Sequence, residues 1–221
     1  MTRQTIEEVY QKLLSHVGIE YNIPISENKG GVGLFLEDLL DIPHSPTPLD
    51  CLDGEVKSVP IKKLKSGKLV YKETIAVTML CPDELKIHDF KSSKCQQKLN
   101  RVLIVPYYRE GDAIKFLTPK IITPTEYPEL YVTIESDYNE IQQKYIETGE
   151  LRSETGTVLQ NRTKGKGNGS TSRAFYLRKA FMDECIPFAF DLRDSLRCAK
   201  EISPANPRTP TTSCPALFTN S

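Results

Sequence analysis

The segment LDCLDGEVKSVP, residues 49–60, sets Glu55 and Lys57 two apart, with Asp50 just upstream across an Asp53-Gly54 turn. GEVKSV (54–59) alternates as a strand does, so Glu55 and Lys57 point to the same face. Two carboxylates converging at a strand start can hold Mg2+ through hard oxygen ligands. A lysine beside them can orient a water and help deprotonate it for attack on a phosphodiester, while the metal neutralises charge developing on phosphorus. In a chain with 26% charged residues the same pattern also arises as a salt-bridged edge strand, so its surroundings decide its meaning.

The elements that must position these residues follow from periodicity. Ile6, Val9, Tyr10, Leu13, Leu14 and Val17 predict an amphipathic helix over 4–17, with Thr5 as N-cap and Glu7 and Glu8 in its first turn. A loop over 18–29 leads to a second, mostly buried helix through Val32, Leu34, Phe35, Leu36, Leu39 and Leu40, ended by the Pro-rich loop 42–48. Residues 54–59 and 69–80 read as a hairpin joined by the basic turn KKLKSGK (62–68). Residues 91–99 have weak helical character. RVLIVPYY (101–108) reads as a central buried strand, followed by one short strand in AIKFLTPKII. A helix is expected over 134–147, ending at Gly149. Between Arg152 and Lys179 lie a Gly/Ser/Thr-rich loop and then AFYLRKAF. One mixed α/β domain is expected over 1–190, and a poorly ordered Pro-rich tail over 191–221.

Composition narrows the class. The 221 residues suffice for one domain with a real core. No stretch approaches the roughly 20 apolar residues of a membrane helix, and MTRQTIEEVYQKLL has acidic residues where an export signal has its apolar run. A cytoplasmic protein is expected. Six scattered cysteines without C-x-x-C spacing read as free thiols, and His16, His44 and His88 fall in unrelated contexts, against a zinc site or a histidine-based nucleophile. No Gly-rich dinucleotide loop, P-loop or nucleophile motif supports a small-molecule enzyme. Net charge is zero, so the distribution of charge is the informative quantity. RTKGKGNGSTSRAFYLRK (162–179) carries six basic residues and no acidic one. Its glycines let backbone amides approach phosphates, and its cations release counterions on binding. A solvated flexible loop is the plainer reading of such a run. For KKLKSGK, a phosphate clamp and a solvated turn are both open.

NKGGVGLFLEDLL (28–40), then D-x-x-x-x-E-x-K, then QQKLNRVLIVPY (96–107) and RAFYLRKAF (173–181) together resemble the MutH-type endonuclease family. That family joins a mismatch-repair nicking enzyme to restriction enzymes that cut at GATC. The resemblance runs in order over about residues 5–187 and implies an α/β, PD-(D/E)xK restriction-endonuclease-like fold with a central mixed sheet flanked by helices. It implies a Mg2+ cofactor and double-stranded DNA as partner. By this likeness Lys29, Gly30, Gly33 and Glu37 form the helix element that brings a third carboxylate to the metal ligands Asp50 and Glu55, and Lys98 joins Lys57 in the active site. Arg162, Lys164, Lys166, Arg173 and Tyr176 fall in the part that contacts DNA, Arg162 as a guanine contact. Two departures stand out. The family separates its aspartate from Glu-x-Lys by six residues, whereas four lie between Asp50 and Glu55, which leaves Asp53 as the other candidate. The family's DNA-reaching aromatic on the return strand is matched by Ala76.

The function implied is a type II restriction endonuclease acting at GATC or a related site. A nicking enzyme of the mismatch-repair branch is the alternative with the same chemistry, and a DNA-binding module with a dead site the alternative from another class. Retention of Glu37, Glu55, Lys57 and Lys98 argues against the last. A chain with one active site must form a homodimer or act twice to break both strands.

Overall fold

The computed structural model describes residues 3–25, 30–44, 47–165 and 171–185, apart from the side chain of Asp183. Lys29, Lys166 and the expected tail over 191–221 lie outside the described residues.

The first helix, α1 (Ile6–Leu14), begins as expected. The Thr5 side chain accepts from the Glu8 N–H, Glu8 reaches back to the Thr5 N–H, and Ile6, Val9 and Leu13 are buried. After a short strand β1 (Glu20–Asn22), α2 (Gly31–Leu39) buries Val32 and Leu36 but leaves Leu34 exposed. Next come β2 (Glu55–Lys63), β3 (Leu69–Tyr71) and β4 (Ile75–Leu80). A short helix α3 (Pro82–Ile87), a 3-10 turn at Phe90–Ser92 and α4 (Lys94–Leu99) follow. The rest of the chain forms β5 (Val102–Glu110), β6 (Ala113–Phe116), β7 (Lys120–Ile122), α5 (Pro128–Thr148), β8 (Leu159–Thr163), β9 (Arg173–Leu177) and α6 (Lys179–Cys185).

The main sheet runs β1-β6-β5-β2-β3, with β7 on the same side of β5 as β6. Its β2–β5 pair is parallel, from Glu55 opposite Val102 to Ile61 opposite Tyr108, and its other pairs are antiparallel, so the sheet is mixed. As the unbroken apolar run requires, β5 is central and covered on both faces. Leu103 and Val105 meet α1 and α2, while Val102 and Ile104 meet α4, α5 and the second sheet. The architecture is the mixed sheet flanked by helices that the sequence predicts for a PD-(D/E)xK fold.

The expected hairpin return over 69–80 is two strands in two sheets. β3 pairs with β2 only from Ile61 opposite Tyr71 to Lys63 opposite Leu69, and β4 joins a separate sheet, β4-β9-β8. Pro60 explains the break. The Lys72 N–H donates to the Pro60 carbonyl at 2.9 Å, but Pro60 has no N–H to return, so the ladder ends half-made. The same missing donor faces away from β5, which leaves the β2–β5 ladder intact. AIKFLTPKII is likewise two strands, parted near Pro119. The helix expected over 134–147 starts earlier, because Pro128 sits in its first turn where no N–H partner is needed. It ends at Gly149, which adopts φ 71. Within the expected loop over 152–179, Leu159–Thr163 is strand, with Leu159, Gln160 and Asn161 buried.

Candidate active site

Glu55 and Lys57 do share a face. Lys57 Nζ donates to Glu55 Oε1 at 2.7 Å, and Lys98 Nζ, arriving from α4, donates to the same oxygen at 2.6 Å. Glu55 is 2% exposed, while the lysine side chains are 25% and 22% exposed. The two ammonium partners offset the desolvation of so buried a carboxylate. Lys98 is 43 residues away in sequence and reaches Glu55 because β5, directly after α4, lies beside β2 in register.

Asp50 sits against this centre. Its Oδ2 accepts from the Val56 N–H at 2.9 Å, and its own N–H donates to Glu55 Oε2 at 3.3 Å. The loop that carries it is held by the N-terminal segment: the Arg3 guanidinium donates to the carbonyls of Leu49 and Cys51, which flank Asp50. Gly54 lets the loop pass there, since a Cβ would lie 2.4 Å from the Arg101 carbonyl and 2.6 Å from the Ile6 side chain. Burial first, and then the Glu55 charge, push the Asp50 carboxyl above its ordinary range, against the pull of Lys57 and Lys98.

Asp53 is spent elsewhere. Its Oδ1 accepts from the Ile6 N–H at 2.7 Å, at the first turn of α1, and its Oδ2 pairs with Arg101 at 2.7 Å. It is a helix cap and a salt-bridge partner.

Glu37, on α2, faces the same region from the other side. Its carboxyl is raised by burial and then by the Asp50 charge, with His44 and Lys57 opposing. His44 Nε2 stands 3.4 Å from Glu37 and 3.2 Å from Asp38. Sequence reasoning missed His44, because nothing in its loop marks a histidine that folds back on a helix. Glu37, Lys57, Ser58 and Pro60 line an open cleft of about 500 Å3, with Gly33 at the close approach of α2 to Ser58 and with Glu73, Thr74, Ile75 and Ala76 on the opposite wall.

That opposite wall belongs to the second sheet. Ala76 lies opposite Tyr176, so the aromatic missing at 76 has an aromatic directly across the strand pair. The Arg162 guanidinium lies 5.6 Å from the centre of the Tyr176 ring, and its Nη1 donates to Thr74 Oγ1 at 3.2 Å. Arg173 Nη1 donates to the wholly buried Asn161 at 2.6 Å, while the Lys164 N–H donates to the Ser172 carbonyl and closes the β8–β9 hairpin. Asp137 of α5 accepts from the N–H groups of Thr157, Val158 and Leu159 and fixes the start of β8.

Among the described residues no three His, Cys, Asp or Glu side chains close around a single point. The donors present are carboxylate oxygens, and burial together with like charge drives two of them toward protonation. Such a set suits a hard divalent ion, and Mg2+ is commonly held by one or two carboxylates with water completing its shell. Cys51, Cys81, Cys95 and Cys185 are free thiols.

Residues 44–144 match the family model described as DNA mismatch repair enzyme MutH, to which the chain is similar over that stretch. The matched stretch contains Asp50, Glu55, Lys57 and Lys98, and leaves out Glu37 and the β8–β9 hairpin. A solved complex of the restriction endonuclease MvaI with its cognate DNA substrate is 11% identical, with 81% of this chain and 94% of that chain covered and a TM-score of 0.40. No curated protein matches. No helix among the described residues is long and apolar enough to cross a membrane.

Proposed function

We propose that this chain is a Mg2+-dependent, site-specific deoxyribonuclease that hydrolyses double-stranded DNA, a type II restriction enzyme acting at GATC or a related site. The observation that carries the chemistry is the Lys57–Glu55–Lys98 centre, set beside Asp50, with Lys57 lining a cleft that Thr74 and Ala76, the neighbours of Arg162 and Tyr176, also line.

In this reading Asp50 and Glu55 hold the metal, with Glu37 as the third carboxylate. When bound, the ion polarises the phosphoryl oxygen and makes a water more acidic. Lys57 holds the attacking water in line and donates to the phosphate oxygen on which charge develops. The water oxygen bonds to phosphorus and gives up a proton to solvent, the opposite phosphorus–oxygen bond breaks, and the leaving oxygen takes up a proton from solvent. Lys98 orients Glu55. Across the cleft Arg162 reads guanine, Tyr176 and Lys164 contact the duplex, and Arg173 braces Asn161 beneath them. Lys29 and Lys166 are further candidate DNA contacts. One centre per chain calls for a homodimer on DNA to cut both strands.

The test is supercoiled plasmid carrying GATC, incubated with Mg2+ or with EDTA. Mg2+-dependent linear product at fixed positions is expected. An intact plasmid under every divalent ion would end the reading. A second reading, a nicking endonuclease of mismatch repair, is favoured by the matched family's description, and it predicts open-circular product only.

A further inference from the structure

A second hollow, of about 490 Å3, adjoins the cleft and shares Pro60, Glu73 and Tyr107 with it. Its cations are Lys62, Lys63, Lys72 and Arg109, and Glu73 is its one acidic lining residue. Arg109 is occupied: its Nη1 donates to the carbonyls of Ile23 and Gly111. Lys62 and Lys72 differ. Both are exposed, and neither forms an ion pair among the described residues, whereas Lys12, Lys94, Lys115 and Lys144 on other surfaces each have a carboxylate. Ile61 opposite Tyr71 brings the two segments together, and Lys62 on β2 and Lys72, one residue past β3, line the same hollow. Exposed cations set side by side repel, and an anion that bridges them removes that cost.

We infer that Lys62 and Lys72 form a clamp for backbone phosphates of the duplex outside the recognition site. The inference rests on the endonuclease reading of the adjoining cleft. Strand geometry fixes its reach. From Glu55 to Lys62 is seven residues of β2, so at about 3.3 Å per residue the clamp lies about 23 Å from the catalytic centre. For a duplex running along β2, at about 3.4 Å per base-pair step, that is about seven base pairs from the cut phosphate. Pro60 ends the β2–β3 ladder, and the chain leaves β3 at Lys72 on the lining of the hollow.

The experiment measures duplex affinity against salt in Ca2+ for wild type, for Lys62→Ala/Lys72→Ala, and for Lys86→Ala/Lys144→Ala, which removes equal charge from the α3–α5 face. The clamp variant should lose about two units of the log–log salt slope, roughly 0.9 for each phosphate released. The control should match wild type. Duplexes trimmed to fewer than about seven base pairs beyond the cut should lower the wild-type slope to that of the clamp variant. An unchanged slope in the clamp variant, or an equal fall in the control, overturns the inference. Failure of the endonuclease reading looks different: wild type would bind with its full slope and cut nothing.

Discussion

The two walls of the cleft solve opposite problems. At the start of β2 the charged side chains are already committed: Glu55 takes Lys57 and Lys98, Asp50 takes the Val56 N–H, and Glu55 is 2% exposed. On the β8–β9 side the structural bonds are placed beneath and behind, through Asn161 and Asp137, while Arg162 and Tyr176 lean on each other at the surface. Hydrolysis needs charges held before the substrate arrives, because reorganisation would add to the barrier. On the proposed reading, base recognition needs donors that can exchange a weak protein contact for a base edge, and Arg162 has an exposed bond to Thr74 and its contact with the Tyr176 ring to give up.

Substitutions on the two walls should therefore fail differently. The largest effect belongs to Lys57→Ala and Glu55→Gln. Each should lose cleavage by at least about 4 kcal/mol of transition-state stabilisation, roughly a factor of 1,000, while keeping duplex affinity in Ca2+. Single-turnover plasmid cleavage beside a gel-shift titration measures both, and near wild-type cleavage by either variant would remove the active-site assignment.

Arg162→Ala should do the reverse. It should narrow the affinity gap between the preferred site and single-base variants by about 1–3 kcal/mol and leave the Mg2+ dependence unchanged. A uniform loss across all duplexes would make Arg162 a phosphate contact instead.

The paired aspartates divide within one loop. Asp50→Asn should abolish metal-dependent cleavage without loss of fold. Asp53→Asn should keep cleavage but lower stability by about 1 kcal/mol, since it weakens the cap on α1 and the Arg101 pair. Denaturant melts beside activity assays separate the two, and the opposite pattern would move the metal-ligand role to Asp53.

The smallest effect is on pH. Glu37 and Asp50 ionise at higher pH in the folded chain than in the unfolded one, so the folded chain binds more protons through the window above the ordinary carboxylate range. Metal-free stability contributed by these groups is present at and below that range and declines as pH rises through the raised pKa values. In EDTA, Glu37→Gln/Asp50→Asn should flatten this decline in Tm. A divalent ion, which binds the ionised carboxylates, should offset it in wild type alone.

Much of this was legible in the sequence where the signal is local. The capping box at Thr5, the apolar run of β5, the Gly149 stop and the i, i+2 pair Glu55–Lys57 each depend on residues within a few positions. The misreadings fall where a distant strand decides. Residues 69–80 have the composition of one strand, and Pro60, nine or more positions earlier, divides them. Leu159–Thr163 reads as loop until α5 supplies Asp137 to three of the N–H groups at its start. What sets Asp50 and Asp53 apart also lies at a distance, since the first N–H of α1 and Arg101 both bond to Asp53.

The sequence by itself determined the chemistry available, because side-chain type and strand alternation place Glu55 beside Lys57 whatever else the chain does. It also determined the central strand, because a residue run apolar on both faces must be covered on both faces. Only the tertiary structure decided which partners complete the centre. The parallel β2–β5 register carries Lys98 across 43 residues to Glu55, and α2 turns Glu37 toward Asp50 and sets His44 against it. Those meetings are fixed by how layers pack and strands align, and no local pattern in the chain encodes them.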